Sequence, residues 1–234
     1  MKVVILAGGK GTRLNEYTRT YPKPMVLIGP KPLLGHIIDI YEEQGFCDFV
    51  VASGYKGKFI SEWADKSESN IEVIDTGDAT LTGGRLKRLK DHVGARQFML
   101  TYGDGVSNVN LTHVWNYHTS LKPLVTLTAV RPPARFGSLR LNASGKVIGF
   151  HEKSQAAEGW VNGGFMIVEK EVLDMIEGDD TNFEKDVLPE IAEMGKLQAY
   201  FHGGFWQCVD TIRDVELLTE LEKERPWLTK AHRS

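Results

Sequence analysis

Apolar runs of strand length alternate with stretches of helical period through the first 130 positions of the chain. Lys2 to Ala7 (KVVILA) is apolar throughout after its lysine, Leu33 to Gln44 places apolar residues three and four apart, and Phe49 to Gly54 is again a short apolar run. The rhythm continues with a strand at Ile71 to Thr76, a basic helix at Gly83 to His92, a strand at Gln97 to Thr101, a helix at Leu111 to Ser120 and a strand at Pro123 to Val130. Strands alternating with helices predict an α/β fold around a parallel sheet. Their near-continuous apolar character fits strands covered on both faces.

Beyond Arg135 the texture changes. Ser138 to Leu141, Val147 to Glu152 and Gly164 to Glu169 alternate polar and apolar residues between Gly, Asn and Ser turn signals, which predicts an antiparallel extension of the sheet. Two helical patterns follow, at Asn182 to Met194 and at Ile212 to Glu224. In the second, Ile212, Val215, Leu218 and Leu221 fall on one face. No repeat or Pro/Gly/Ser-rich linker divides the chain, so residues 1–234 read as a single domain.

Composition narrows the function classes. At 41% hydrophobic the 234 residues can build one sizeable core, and the formal charge of −3 comes from interspersed signs. That balance offers no basic field for nucleic acid or for an anionic membrane surface. No apolar run approaches the roughly 18 residues of a membrane span. Cys47 and Cys208 lack CxxC spacing, which suits a reducing cytosol, so a cytoplasmic protein is expected.

The strongest local signal is KVVILAGGKGTRL, in which a strand ending at Leu6 and Ala7 runs into Gly8, Gly9, Gly11, Thr12 and Arg13. Glycines let backbone N–H groups approach phosphate oxygens, and an arginine at the loop's end can grip a di- or triphosphate through its fork of donors. The plainer reading of such a loop is a tight turn. Two other phosphate motifs are absent. The dinucleotide fingerprint needs a third glycine where Leu14 stands and an acid ending the next strand, and GxxxxGK[ST] does not occur. Ten residues on, Lys23 lies between Pro22 and Pro24. Prolines favour extended backbone before them, which predicts a fixed, extended lysine rather than a solvated one.

GGKGTRL (Gly8 to Leu14) followed by PKPM (Pro22 to Met25) resembles the signature of the sugar-1-phosphate nucleotidyltransferases. DTGDATLTGGRLKRL (Asp75 to Leu89), TYGDGV (Thr101 to Val106), RFGSL (Arg135 to Leu139), VNGGF (Val161 to Phe165) and GGFWQCVDTIRD (Gly203 to Asp214) resemble the glucose-1-phosphate cytidylyltransferase branch in particular. The resemblance covers nearly the whole chain. It implies a Rossmann-like nucleotide-diphospho-sugar transferase fold, with a mixed, mostly parallel sheet flanked by helices. It also implies a homo-oligomer and Mg2+-dependent conversion of CTP and α-D-glucose 1-phosphate to CDP-glucose and pyrophosphate. Three departures stand out: the chain is shorter than that branch between about Phe59 and Glu72, the family's EKP reads Glu152, Lys153, Ser154, and its WQPMD reads WQCVD.

The residues support that chemistry. Asp104 follows an apolar strand and Asp210 ends another before a helix, so two carboxylates from distant segments could hold one hard cation, Mg2+, that also meets phosphate oxygens. Read blandly, Asp104 forms a turn before Gly105 and Asp210 caps a helix. A phosphomonoester is mostly dianionic at neutral pH, so its attack on the α-phosphorus of a triphosphate needs no general base. Positioned positive charge is the requirement. Arg13 and the loop amides are assigned to the β- and γ-phosphates, Lys23 to the α-phosphate and Lys153 to the acceptor phosphate.

By resemblance, Glu152 and Asn162 bind acceptor hydroxyls while Gly163 allows close approach; a surface carboxylate and a turn asparagine are the alternatives. Gly83 and Arg85 are candidate nucleotide contacts on the basic helix. The seven histidines show no metal spacing, His113 and His118 being five apart. Three competing readings remain open: CTP-dependent transfer to a different phosphorylated small molecule, a dTTP- or UTP-dependent enzyme for sugar 1-phosphates, and a catalytically silent nucleotide-binding regulator.

Overall fold

In the computed structural model, which describes residues 1–132, 138–151 and 159–228, the N-terminal apolar run becomes β1 (Val3–Leu6). A 3-10 turn at Thr12–Leu14, a short α1 (Asn15–Thr18) and a second 3-10 turn at Lys23–Met25 follow it. Next come a small hairpin of β2 (Leu27–Ile28) and β3 (Lys31–Pro32), then α2 (Leu33–Glu42), β4 (Asp48–Ser53), α3 (Gly57–Ala64) and β5 (Asn70–Asp75). The middle of the chain supplies α4 (Thr82–Arg88), β6 (Gln97–Tyr102), β7 (Gly105–Ser107), α5 (Leu111–Leu121) and β8 (Val125–Val130). After it come β9 (Ser138–Leu141), β10 (Val147–His151), β11 (Val161–Asn162) and β12 (Met166–Glu169). The chain then forms α6 (Leu188–Glu193), β13 (Leu197–His202), β14 (Trp206–Cys208) and α7 (Ile212–Leu221).

The main sheet has eight strands. β1 pairs in parallel with β4 and with β6, and β4 pairs in parallel with β5. On the other side β12 runs antiparallel between β6 and β8. At its far end β8 also takes β11 antiparallel, and it pairs with β13 in parallel. The fold is therefore the expected mixed, mostly parallel sheet. The predicted antiparallel extension is corrected in part: β12 lies inside the sheet, because Met166, Ile167 and Val168 are almost wholly buried and need cover from both sides. β9 and β10 form a separate hairpin, in keeping with the half-exposed Val147 and Ile148. The basic helix stops at Arg88, short of His92, because Leu89 leaves helical geometry at φ −91°, ψ 5°.

Alternation along β1 explains the two-sided core. Val3 and Ile5 join one apolar cluster with Leu33, Leu34, Ile37 and Tyr41 of α2 and with Val215 and Leu218 of α7. Val4 and Leu6 face the other, with Leu86, Phe183, Leu188 and Ile191. Each such side chain contributes about 1.5–3 kcal/mol by leaving water. No helix among the described residues is long and apolar enough to cross a membrane.

From β1 the chain steps to β4 and β5 on one side and returns to β6 on the other. Strand order thus reverses between β1 and β6, and the loops leaving their carboxyl ends diverge to open a crevice where ligands bind in open α/β sheets.

Candidate active site

That crevice is a cavity of about 740 Å³, lined by Leu6 through Arg13, Lys23, Arg85, Asp104 and Asp210. Its size lies within the range of small-molecule sites, roughly 300–1,000 Å³. Five separate segments bring these residues together, so the topology assembles most of the candidates named from sequence.

Lys23 is the centre of the arrangement. Its Nζ donates to Asp104 Oδ2 at 2.9 Å and to Asp210 Oδ1 at 2.8 Å, and Arg13 Nη1 donates to Asp210 Oδ2 at 3.0 Å. The lysine is buried while Arg13 reaches into solvent. Burial pulls the Lys23 pKa down, but Asp104 and Asp210 together outweigh it and hold the group above its ordinary value. For Asp210, burial acts upward and is outweighed by Lys23 and Arg13, leaving the carboxyl below its ordinary value. The expected extended backbone at Lys23 is corrected: Pro22 is extended, and Lys23 begins a 3-10 turn with Pro24 in its first positions. Proline's fixed φ of about −65° suits a first helical turn, which overrides the extended preference of the residue before it. The lysine is fixed by burial and by its two acids.

The two carboxylates are held side by side by backbone bonds. Asp104 lies in the turn between β6 and β7, and β7 pairs with β14, which leads to Asp210. Val209 N donates to the Asp104 carbonyl at 2.8 Å, and Asp210 N donates to Asp214 Oδ2 at 2.9 Å. The cap of α7 is Thr211, in a capping box with Asp214, so helix capping does not account for the Asp210 side chain. Asp104 is both a turn residue and a cavity residue.

Two hard carboxylates converging on one ammonium mark a place where a cation is favourable. Among the described residues no group of three or more His, Cys, Asp or Glu could hold a metal. A pair of acids that leaves the remaining positions to phosphate oxygens and water suits Mg2+ rather than a metal needing a full protein cage. The residues therefore fit such an ion.

Arg85 occupies an unexpected position. Its guanidinium is nearly buried and donates to Ser53 O at 3.0 Å, Thr76 Oγ1 at 2.6 Å and Gly8 O at 3.0 Å, tying together the ends of β1, β4 and β5. Burial lowers its pKa against the pull of Asp78 and Asp75. It lines the cavity from beneath the glycine loop. A Cβ on Gly8 would stand 2.0 Å from Arg85 Nη1, so the glycine is required by the arginine, whereas the Cβ position of Gly9 is open. Gly83 is packed against the Thr181 carbonyl, outside the cavity lining.

On the other side of Tyr102 and Asp104 lies a smaller cavity of about 180 Å³, lined also by Asn162, Gly163, Phe165, Trp206 and Cys208. Asn162 Nδ2 donates to Tyr102 Oη at 3.2 Å while its Oδ1 accepts from Gly164 N at 2.9 Å, so the asparagine is at once a turn residue and a cavity residue. Trp206 Nε1 donates to Gly163 O at 2.9 Å. Glu152 and Lys153 lie outside the described residues.

The nucleotidyl transferase family model matches residues 2–222. The chain belongs to the nucleotidyl transferase family. It is 41% identical to the glucose-1-phosphate cytidylyltransferase of Salmonella typhimurium, over 98% of this chain and 99% of that one. It is 37% identical to the probable glucose-1-phosphate cytidylyltransferase of Bacillus subtilis, over 97% and 96%. Among solved structures, HddC from Yersinia pseudotuberculosis superposes with a TM-score of 0.75 at 28% identity, over 94% of this chain and 98% of that one. The Salmonella alignment runs over 256 positions, more than the 234 residues of this chain, so that relative carries segments missing here.

Two features of this nucleotidyltransferase escaped sequence reasoning. Glu184 accepts from Tyr102 Oη at 2.7 Å and from Thr82 Oγ1 at 2.6 Å, and so braces the wall between the two cavities. Burial and then Glu184 hold the Tyr102 phenol well above its ordinary pKa, so the hydroxyl stays protonated. No spacing rule joins residues 82, 102 and 184. The loop Asp78 to Thr80 likewise lines the larger cavity; it lies in the DTGDATLTGGRLKRL motif, but none of its residues was assigned to the site.

Proposed function

We propose that this nucleotidyltransferase transfers CMP from CTP to α-D-glucose 1-phosphate in a Mg2+-dependent reaction that gives CDP-glucose and pyrophosphate. The observation that carries the reading is the convergence of Lys23 on Asp104 and Asp210, with Arg13 beside them, at the mouth of the glycine loop. The cytidylyltransferase relatives that match along the whole chain supply the choice of base and acceptor. In the same reading residues 1–234 form one domain that works in the cytoplasm as a homo-oligomer.

An oxygen of the acceptor phosphate forms a bond to the α-phosphorus of CTP. The bond from that phosphorus to the bridging oxygen breaks, and its electron pair leaves with pyrophosphate. The acceptor oxygen is already anionic, so no side chain has to remove a proton. Leu6, Ala7, Gly8, Gly9, Gly11 and Thr12 form the nucleotide cradle, and Arg13 with the loop amides receives the β- and γ-phosphates. Lys23 turns from its two carboxylates toward the α-phosphate, where charge builds up in the transition state. Asp104 and Asp210 would hold Mg2+, which would supply positive charge against the triphosphate and the departing pyrophosphate. Asn162 and Gly163, with Glu152 and Lys153, receive the acceptor.

A second reading keeps CTP and this chemistry but changes the phosphorylated acceptor, because the Salmonella relative carries segments this chain lacks. The test is pyrophosphate release with Mg2+, crossing CTP, UTP, dTTP and GTP against glucose 1-phosphate and a panel of other phosphorylated sugars and polyols. Turnover confined to CTP and glucose 1-phosphate is expected. Turnover with CTP and another acceptor selects the second reading, and no turnover with any pair defeats both.

A further inference from the structure

Strand β8 meets β11 and β12 across a break in register. Val161 faces Val130 and Asn162 faces Ala129, yet Ile167 faces Thr126 and Val168 faces Val125. Four residues lie between Asn162 and Ile167 but only two between Thr126 and Ala129, so two residues are looped out opposite β8. Bulges next to active sites commonly re-aim a side chain. This one directs Asn162 to Tyr102 and the Gly163 carbonyl to Trp206, both in the wall of the smaller cavity.

The bulge is strained. Gly164 has φ +77°, which glycine accepts, but Phe165 has φ +46°. A bulky aromatic residue seldom takes that conformation, and it persists only where the surroundings over-determine it. The Phe165 ring is buried and stacked on Tyr41 with centroids 5.9 Å apart, which secures the side chain. Besides the bonds from Gly164 N to Asn162 and from Trp206 to Gly163 O, the backbone is held from β8 by Thr128. Thr128 O accepts from Gly163 N at 2.8 Å, Thr128 N donates to Gly164 O at 3.2 Å, and Thr128 Oγ1 donates to Phe165 O at 2.8 Å. Only the last of these depends on the identity of the side chain. Thr128 is fully buried and lines neither cavity, so it cannot touch a ligand there.

We propose that Thr128 is a positioning residue for the acceptor: its hydroxyl locks the strained bulge that presents Asn162 and Gly163 to the smaller cavity. The inference rests on the reading of that cavity as the acceptor side. Without the hydroxyl the Phe165 carbonyl loses its partner, the turn relaxes, and the two acceptor-facing groups shift while the glycine loop three strands away is untouched.

The experiment measures steady-state pyrophosphate release by the full chain with CTP and α-D-glucose 1-phosphate each varied, for wild type, Thr128→Val, Thr128→Ser and Asn162→Ala, with thermal melting to confirm folding. Thr128→Val is expected to raise the acceptor KM on the order of tenfold, as misplaced positioning groups do. The CTP KM should stay within about twofold, and Thr128→Ser should restore the wild-type value. If Thr128→Val does not fold, Thr128→Ala removes the hydroxyl without adding a methyl and carries the same comparison. An unchanged acceptor KM, an equal rise in both KM values, or no rescue by serine overturns the proposal. If Asn162→Ala raises the acceptor KM and Thr128→Val does not, only the positioning role falls. If neither variant moves it, or wild type turns over no glucose 1-phosphate, the acceptor reading falls as well.

Discussion

The relation between Gly8 and Arg85 can be tested as a thermodynamic cycle. Every one of the three atoms closest to a Cβ built on Gly8 belongs to the Arg85 guanidinium, at 2.0, 2.3 and 2.9 Å, and Gly8 does not have a positive φ. Gly8→Ala therefore conflicts first with the arginine. To make room the guanidinium must leave its bonds to Gly8 O and Ser53 O. Bonds to a charged donor contribute about 1.5–3 kcal/mol each, so Gly8→Ala should cost roughly 2–3 kcal/mol after partial relaxation. Arg85→Ala should cost about 3 kcal/mol through the loss of three hydrogen bonds from a nearly buried charged donor, which for a chain of this size is roughly 6–12 °C in Tm. In the Arg85→Ala background all three of those Cβ contacts are gone, so Gly8→Ala should become nearly neutral. The coupling would then be about 2 kcal/mol in the direction of relief. Gly54 is the control: its Cβ would meet Arg85 Nη1 at 2.5 Å but also the Gly77 carbonyl at 2.7 Å and the Gly8 carbonyl at 3.0 Å. Gly54→Ala should stay destabilising without the arginine. Urea unfolding followed by circular dichroism measures all four corners and the control. An undiminished cost of Gly8→Ala in the Arg85→Ala background would refute the argument.

Other outcomes follow from the same geometry. Asp104→Asn should lower turnover by roughly 10² or more with the far-UV spectrum unchanged; substantial remaining activity would remove Asp104 from the catalytic set. Lys23→Met should destabilise most at neutral pH. The Asp210 carboxyl, held below its ordinary value, contributes stability above its unfolded pKa that is lost as pH falls through the folded one. Lys23, held above its ordinary value, contributes throughout that range and loses its effect only in strong alkali. The stability gap between variant and wild type should therefore narrow from pH 7 toward pH 3; a constant gap in denaturant titrations would contradict this. Burial, followed by Asp210, pushes the Cys208 thiol up to about 11, whereas Cys47 is exposed. A thiol reagent at pH 7.5 should label one cysteine quickly, and Cys47→Ser should abolish that fast phase.

Local patterns were legible in the chain because local physics decides them. The unbroken apolar run of β1 and the three-and-four spacing of α2 predict a strand covered on both faces and a helix against it, and burial of every β1 side chain bears this out. The glycine loop was legible because glycine admits backbone geometries that other residues avoid, and Lys23 because two prolines mark it, although its 3-10 turn was not foreseen. β13 and α3 were not anticipated. β13 is a half-exposed strand whose place is set by a parallel crossover, and α3, though amphipathic, spans only eight residues, too few for its period to stand out.

By itself the sequence determined the family, the glycine loop and the identity of the charged residues, since each depends on residue type at short spacing. Only the tertiary structure decided which charges meet. Lys23 lies 81 residues from Asp104 and 187 from Asp210, and no periodicity relates positions so far apart. The reversal of strand order beside β1 brings the glycine loop and Asp104 to one crevice, and the pairing of β7 with β14 brings Asp210 there. Arg85 shows the same division: its positive charge suggests a ligand contact, but packing beneath Gly8 makes it a brace for the glycine loop. A side chain's chemistry is set by its type, whereas its partner is set by the long-range strand pairings that close the fold.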